Sequence, residues 1–238
     1  MEQIDILKNG YKIIQDSERF QFGIDAVLLA DFANKGVKPG ERVIDLGTGT
    51  GIIPLLMAGK LKEVSLTGLE VQEASADMAA RNVALNGLEG TIRITHGDLR
   101  NVAGLFDRHS FNVVTCNPPY MIDTHGRGNE LDAKTIARHE VLCTLEDVVA
   151  AADYLLAPHG RFFMIHRPFR LPEIFESLAA YKLEPKRMRL IHPFADKEPN
   201  MVMIEARKNA KRRLTIEPPL VVRYDNGDYT AEINRICN

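Results

Sequence analysis

The sequence predicts an α/β fold, a mostly parallel sheet with helices on both faces. Three observations predict it. Residues 42–58 read as strand, glycine-rich loop and helix. From there to residue 181, β-branched apolar runs alternate with amphipathic stretches, the pattern of parallel strands joined by crossover helices. Two last runs, 187–192 and 201–206, then read as strands joined by the polar turn Ala195-Asp196-Lys197-Glu198-Pro199-Asn200.

In chain order, residues 11–16 predict a short edge strand. Residues 24–33 predict a helix, with Ile24, Leu28, Leu29 and Phe32 on one face and Asp25 at its start. After a turn at Lys38-Pro39-Gly40-Glu41 comes the strand 42–46, then Gly47-Thr48-Gly49-Thr50-Gly51 and an apolar helix over 52–58. Three glycines let a backbone approach a ligand while helix N–H groups face it. A dinucleotide fingerprint would place glycine at 52, where Ile52 stands, and the Gly-Lys-Ser/Thr of a P-loop is absent, so NAD and ATP are both disfavoured.

The strand 64–69 ends at Glu70, an acid placed to accept from a ribose diol. A helix over 72–86 follows, with Ala76, Ala79, Ala80, Val83 and Ala84 as its close-packing face and Asn86-Gly87 as its stop. The strand 91–95 leads to Asp98, suited to accept from an adenine amino group. The plainer role for both acids is helix capping. After the strand in 111–120, residues 121–137 lack clean periodicity and are long for a loop, which suggests a mobile substrate lid closed by Arg138-His139-Glu140. A helix over 144–156 has Thr144 as N-cap and Glu146 and Asp147 in its first turn. A strand over 160–166 and a helix over 172–181, with Pro172 near its start, complete the alternation.

The totals bound the function classes. A chain of 238 residues makes one large α/β domain with small appendages. A net charge of -2 argues against a protein that coats nucleic acid. Local basic clusters at Lys186, Arg187 and Arg189, and at Arg207, Lys208, Lys211, Arg212 and Arg213, would suit either a solvated face or a phosphate backbone. Cys116, Cys143 and Cys237 are too few and scattered for disulfides or zinc, and Cys116 reads as inert packing. No metal is implied. The first residues carry no signal peptide, and no apolar run reaches the ~18 residues of a membrane span. A cytoplasmic protein is expected.

The chain is organised around residues 111–120, Phe-Asn-Val-Val-Thr-Cys-Asn-Pro-Pro-Tyr. Val113-Val114-Thr115 reads as a buried strand, and the two prolines carry the chain out of it extended and stiff. An amide, a carbonyl and an aromatic ring thus stand at the strand's carboxyl edge, where open α/β sheets bind ligands. A planar aminated substrate can donate to Asn117 and to the Pro118 carbonyl while its ring stacks on Tyr120.

Asp45-Leu46-Gly47-Thr48-Gly49-Thr50-Gly51, Glu70, Asp98 and Asn117-Pro118-Pro119-Tyr120 together resemble the motifs of S-adenosylmethionine-dependent methyltransferases of the N6-adenine type. Phe22-Gly23-Ile24-Asp25-Ala26, Ala137-Arg138-His139-Glu140, Glu184-Pro185-Lys186-Arg187, Pro218-Pro219-Leu220 and Tyr229-Thr230 extend that resemblance, over nearly the whole chain, to the bacterial tRNA1(Val) adenine-37 N6-methyltransferase family. The resemblance implies a Rossmann-like class I methyltransferase fold, a seven-stranded sheet with its last strand antiparallel. Residues 1–34 would cover the cofactor site, 35–210 form the methyltransferase core, and 211–238 form a basic tail and short extension.

The implied cofactor is S-adenosylmethionine. Its site would comprise Phe22, Gly23, Asp25, Asp45, Gly47, Thr48, Gly49, Gly51, Glu70, Asp98, Leu99 and Asn117. Asn117 and Pro118 would hold the target amino group, with Tyr120 on its ring. Arg138, His139, Lys186, Arg187, Lys211, Arg212 and Arg213 would contact RNA. The implied partner is the anticodon stem-loop of a tRNA, with a monomeric enzyme expected. Rival acceptors are the glutamine amide of a release factor and a guanine amino group of ribosomal RNA. The first usually goes with an N-terminal helical domain, for which there is no room before residue 35, and the second with an aromatic other than tyrosine at position 120. An RNA-binding module without turnover would leave the loop, acids and tetrapeptide unexplained, and Ile52 argues against a dehydrogenase.

Overall fold

A run of short β-branched segments, each followed by a helix, sets the architecture. The structure is a computed structural model that describes residues 2–7, 9–16, 22–118 and 143–237. Its elements are β1 (Glu2–Ile6), β2 (Lys12–Asp16), α1 (Ile24–Asn34), β3 (Arg42–Leu46), α2 (Ile52–Ala58), β4 (Ser65–Glu70), α3 (Glu73–Leu85) and β5 (Ile92–His96). They continue with α4 (Val102–Leu105), β6 (Phe111–Cys116), α5 (Leu145–Leu155), β7 (Leu156–His166), α6 (Leu171–Ala180), β8 (Leu183–His192) and β9 (Met201–Lys208), and end with β10 (Thr215–Ile216), β11 (Leu220–Val221) and α7 (Ala231–Cys237).

Seven long strands lie in the order β8-β9-β7-β6-β3-β4-β5. All run parallel except β9, which is antiparallel to both β7 and β8. The last long strand is therefore the reversed one, as expected. Two strands of two residues each add to the outer side of β8, so among the described residues the sheet has nine strands rather than seven. β8 also starts at Leu183 instead of 187: Pro185 sits at a register shift, which lets the strand begin before it.

Both faces of the sheet are buried. In β7, Phe163 and Ile165 pack toward α1, α2 and α7, while Phe162 and Met164 pack toward α5 and α6. The period-two alternation sends successive side chains to opposite cores, so the parallel strands read as continuous apolar runs. Thr144 caps α5 in a full capping box: its Oγ1 accepts from Asp147 N, and Asp147 accepts from Thr144 N.

Two expectations need correcting. Residues 12–16 do not edge the main sheet; β2 pairs with β1 in a separate two-stranded sheet. Its outer side is satisfied by Asn82 of α3 and by Asn86, which caps the end of that helix. Asn86 Oδ1 and Nδ2 pair with Lys12 N and O, each at 2.7 Å, and Asn82 Oδ1 accepts from Ile14 N at 2.6 Å. The buried face of α3 is accordingly Ala76, Met78, Ala79, Asn82 and Val83, whereas Ala80 and Ala84 are exposed. The face is turned because Asn82 has backbone partners to reach.

Residues 211–237 fold back on the core, with Leu220 and Ile233 fully buried. Among the described residues no helix is long and apolar enough to cross a membrane.

Candidate active site

The carboxyl ends of β3, β4, β5 and β6 meet at one edge of the sheet, and the predicted site residues converge there. After β3 the chain turns through Gly47, Gly49 and Gly51, with φ of 68, 56 and 83°. That left-handed path is open to glycine and strained for other residues. A Cβ on Gly47 or Gly49 would meet nothing within 4 Å, so the loop borders open space, while one on Gly51 would stand 3.3 Å from Ala79 Cβ. Asn82, missed in the sequence, ties this loop down: its Nδ2 donates to Thr50 O at 3.0 Å. Asn82 is fully buried, and the alanine-rich pattern around it carries no signal of that role in the sequence.

Glu70 is buried and grips the loop from the end of β4. Its Oε2 accepts from Gly49 N and its Oε1 from Gln72 N, each at 2.9 Å. Each carboxylate oxygen keeps a second lone pair for a ligand. Beneath the loop lies Asp45, also buried, whose Oδ1 accepts from Thr115 Oγ1 at 2.7 Å. Burial pushes its carboxyl up to about 7, against the hydroxyls of Thr115 and Thr48. The Thr48 hydroxyl lies near without a hydrogen bond of good geometry, and both it and Asp45 Oδ2 are buried without a partner.

Asp98 serves first as a cap. It N-caps the 3-10 turn Leu99–Asn101, accepting from Arg100 N at 2.8 Å, and its Oδ2 also pairs with Arg100 Nη2 at 2.5 Å. The Arg100 guanidinium holds its carboxyl below the usual carboxylate range. Asp98 is therefore a charged acceptor at the site's rim, with Leu99 buried beside it.

β6 delivers Asn117 and Pro118 to the same edge; Pro118 is buried and Asn117 half-buried. Asn117 Nδ2 donates to Asp25 Oδ2 at 3.1 Å, which brings the start of α1 to the end of β6. Phe22 and Gly23 lead into α1 beside it, and Phe22 N donates to Gln15 Oε1 at 3.3 Å. Tyr120, Arg138, His139 and the expected lid at 121–137 lie outside the described residues.

The remaining basic residues are placed elsewhere. β9 runs against its neighbours, so Lys211, Arg212 and Arg213, just beyond its end, fall toward the sheet's amino edge, opposite Asn117. Lys186 joins them, its Nζ donating to Lys211 O at 2.8 Å. Arg187 is engaged inside the fold: it pairs with Glu205 and Glu217, donates to Phe32 O and stacks on the Phe32 ring at 4.1 Å. The reading of Arg187 as a phosphate contact gives way to that of a structural ion pair. Cys116 is buried and its thiol is pushed well up by burial, which fits inert packing.

Comparison with known proteins agrees with this geometry. The chain is 29% identical over 234 residues to the tRNA1(Val) (adenine(37)-N6)-methyltransferase of Porphyromonas gingivalis, an alignment spanning 95% of this chain and 90% of that protein. The protein of the same description from Tolumonas auensis is 27% identical, with 93% and 90% covered. Among solved structures, a predicted O-methyltransferase of Agrobacterium tumefaciens superposes with a TM-score of 0.71 at 25% identity, covering 90% of this chain and 95% of that one. Residues 22–178 match the family described as Methyltransferase small domain, a span that holds the glycine loop, both acids and Asn117. The protein is an enzyme with the class I methyltransferase fold, and it belongs to the methyltransferase small domain family.

Proposed function

We propose that the protein methylates the exocyclic N6 amine of an adenine in RNA, adenine 37 in the anticodon loop of a valine tRNA, using S-adenosylmethionine. The observation that carries this reading is the meeting of Asn117-Pro118 with the glycine loop at one sheet edge. The relatives from Porphyromonas gingivalis and Tolumonas auensis support the choice of tRNA. When bound, the cofactor supplies an electrophilic methyl group on a sulfonium sulfur.

The residues present fit such a cofactor. Gly47 and Gly49 border open space, and Thr48 Oγ1 and Asp45 Oδ2 are polar atoms buried without partners beside it. Glu70 would take the ribose hydroxyls and Asp98 the adenine amine, with Phe22, Gly23 and Asp25 toward the methionine end. Asp98 can do this while paired to Arg100, since its oxygens keep further lone pairs.

The target amine is a weak nucleophile, because its lone pair is delocalised into the ring. Asn117 Oδ1 and the Pro118 carbonyl would accept its two hydrogens and localise that pair. Catalysis is then mainly positioning and electrostatic stabilisation, with no strong base required. Tyr120 would stack on the unstacked base, a step that costs least in a single-stranded loop. Residues 35–210 would form the catalytic core of a cytoplasmic, monomeric enzyme.

Methyl transfer from labelled S-adenosylmethionine to undermodified total tRNA, followed by nucleoside analysis, tests this directly. N6-methyladenosine in a valine tRNA is the expected product, and Asn117→Ala should form it only at a trace rate while retaining affinity for S-adenosylhomocysteine. Unlabelled tRNA with intact cofactor binding would overturn the acceptor and turn attention to ribosomal RNA and release factors.

A further inference from the structure

A carboxamide is two-ended: its oxygen accepts, its NH2 donates, and a half-turn exchanges them. For Asn117 to serve as an acceptor, that half-turn must be prevented. The structure supplies a device for this. Asn117 Nδ2 donates to Asp25 Oδ2 at 3.1 Å, between residues 92 positions apart. An ionised carboxylate only accepts, so the flipped amide would set oxygen against oxygen. Keeping Nδ2 on Asp25 turns Oδ1 the other way.

Asp25 is itself held ready. It stands in the first turn of α1, where the helix dipole favours a carboxylate. Its Oδ1 accepts from Ala26 N at 3.0 Å, and Gly23 makes room for it, since a Cβ there would stand 2.7 Å from that oxygen. The contact also has an electronic side. A donor N–H held by a carboxylate polarises its amide and moves negative charge onto the amide oxygen.

We propose that Asp25 is a positioning residue of the transfer reaction: it holds the Asn117 amide in the orientation that presents Oδ1 to the target amine, and strengthens that oxygen as an acceptor. The inference rests on reading Asn117 as the acceptor. It gives Asp25 a role separate from covering the cofactor.

The test compares Asp25→Ala, Asp25→Asn, Asn117→Ala and the Asp25→Ala/Asn117→Ala double variant in the full chain. Asp25→Ala should lower kcat about tenfold or more, leaving KM for tRNA within about twofold and weakening affinity for S-adenosylhomocysteine by clearly less than kcat falls. Asp25→Asn keeps an acceptor oxygen and should recover much of the rate. The double variant should be no slower than Asn117→Ala alone, because both changes remove one unit. In the protein without substrate, the Asn117 side-chain NH2 signal should exchange faster with solvent in Asp25→Ala. A fall in S-adenosylhomocysteine affinity matching the fall in kcat, or multiplicative losses in the double variant, would overturn the inference. An active Asn117→Ala removes the acceptor reading and this inference with it. An inactive Asn117→Ala beside a fully active Asp25→Ala overturns the inference alone.

Discussion

The backbone N–H of Gly49 donates to Glu70 Oε2 at 2.9 Å, fastening the middle glycine of the loop after β3 to the acid that ends β4. The other oxygen of Glu70 accepts from Gln72 N at the start of α3. One buried carboxylate thus sets both the shape of the loop and the entry to the next helix. The ligand role proposed for it would fall to the same two oxygens.

Glu70→Gln should therefore damage the site while keeping its volume. One carboxylate oxygen becomes an NH2 facing a backbone N–H, leaving a buried donor unsatisfied. Such a mismatch costs about 1–3 kcal/mol, or roughly tenfold to a hundredfold in affinity. Calorimetric titration with S-adenosylhomocysteine reads it. Wild-type affinity would show that Glu70 holds neither loop nor ligand.

Asp45 makes the stability of the fold depend on pH. Burial raises its carboxyl from 3.8 to about 7, so the folded chain keeps a proton that the unfolded chain has lost. Its stabilising contribution is complete below pH 3.8 and is lost as the pH rises to about 7, beyond which the curve is flat. The drop is on the order of 4 kcal/mol at most. Asp45→Asn cannot ionise, so its unfolding free energy relative to the native chain should rise across that window. Parallel curves for the two proteins in urea unfolding at several pH values would refute the assignment.

Local chemistry was legible in the sequence, and distant pairing was not. The strands at 42–46 and 111–116, the helix at 52–58 and the Thr144 cap depend on residues within a few positions, and each stands where its pattern puts it. The site's frame followed because strand ends, a glycine loop and two prolines are also local signals. By contrast, Asn82 and Asn86 satisfy β2 from 68 and 74 positions away, and nothing in an alanine-rich helix announces that duty. Asp98 shows the intermediate case: its partner Arg100 is two residues on and visible, but the cap and the proposed ligand role call for the same acid.

Arg187 carries the sharpest contrast between pattern and fold. In the sequence it belongs to a basic cluster suited to phosphate; in the structure it pairs with Glu205, which is buried, and lies over the Phe32 ring. Removing it leaves Glu205 to Arg207, whose Nε already donates to Oε1 at 2.8 Å, so the buried carboxylate is left half-compensated rather than bare. Arg187→Ala should then cost about 2 kcal/mol of stability, below the full cost of orphaning a buried ion. The salt dependence of tRNA binding should not change, because no phosphate contact is lost. Lys211, Arg212 and Arg213 are exposed, and replacing all three by alanine should move stability by only about 0.5 kcal/mol. Urea unfolding and tRNA titrations at several salt concentrations separate the two roles. A shallower salt slope for Arg187→Ala at undiminished stability would return that residue to the RNA interface.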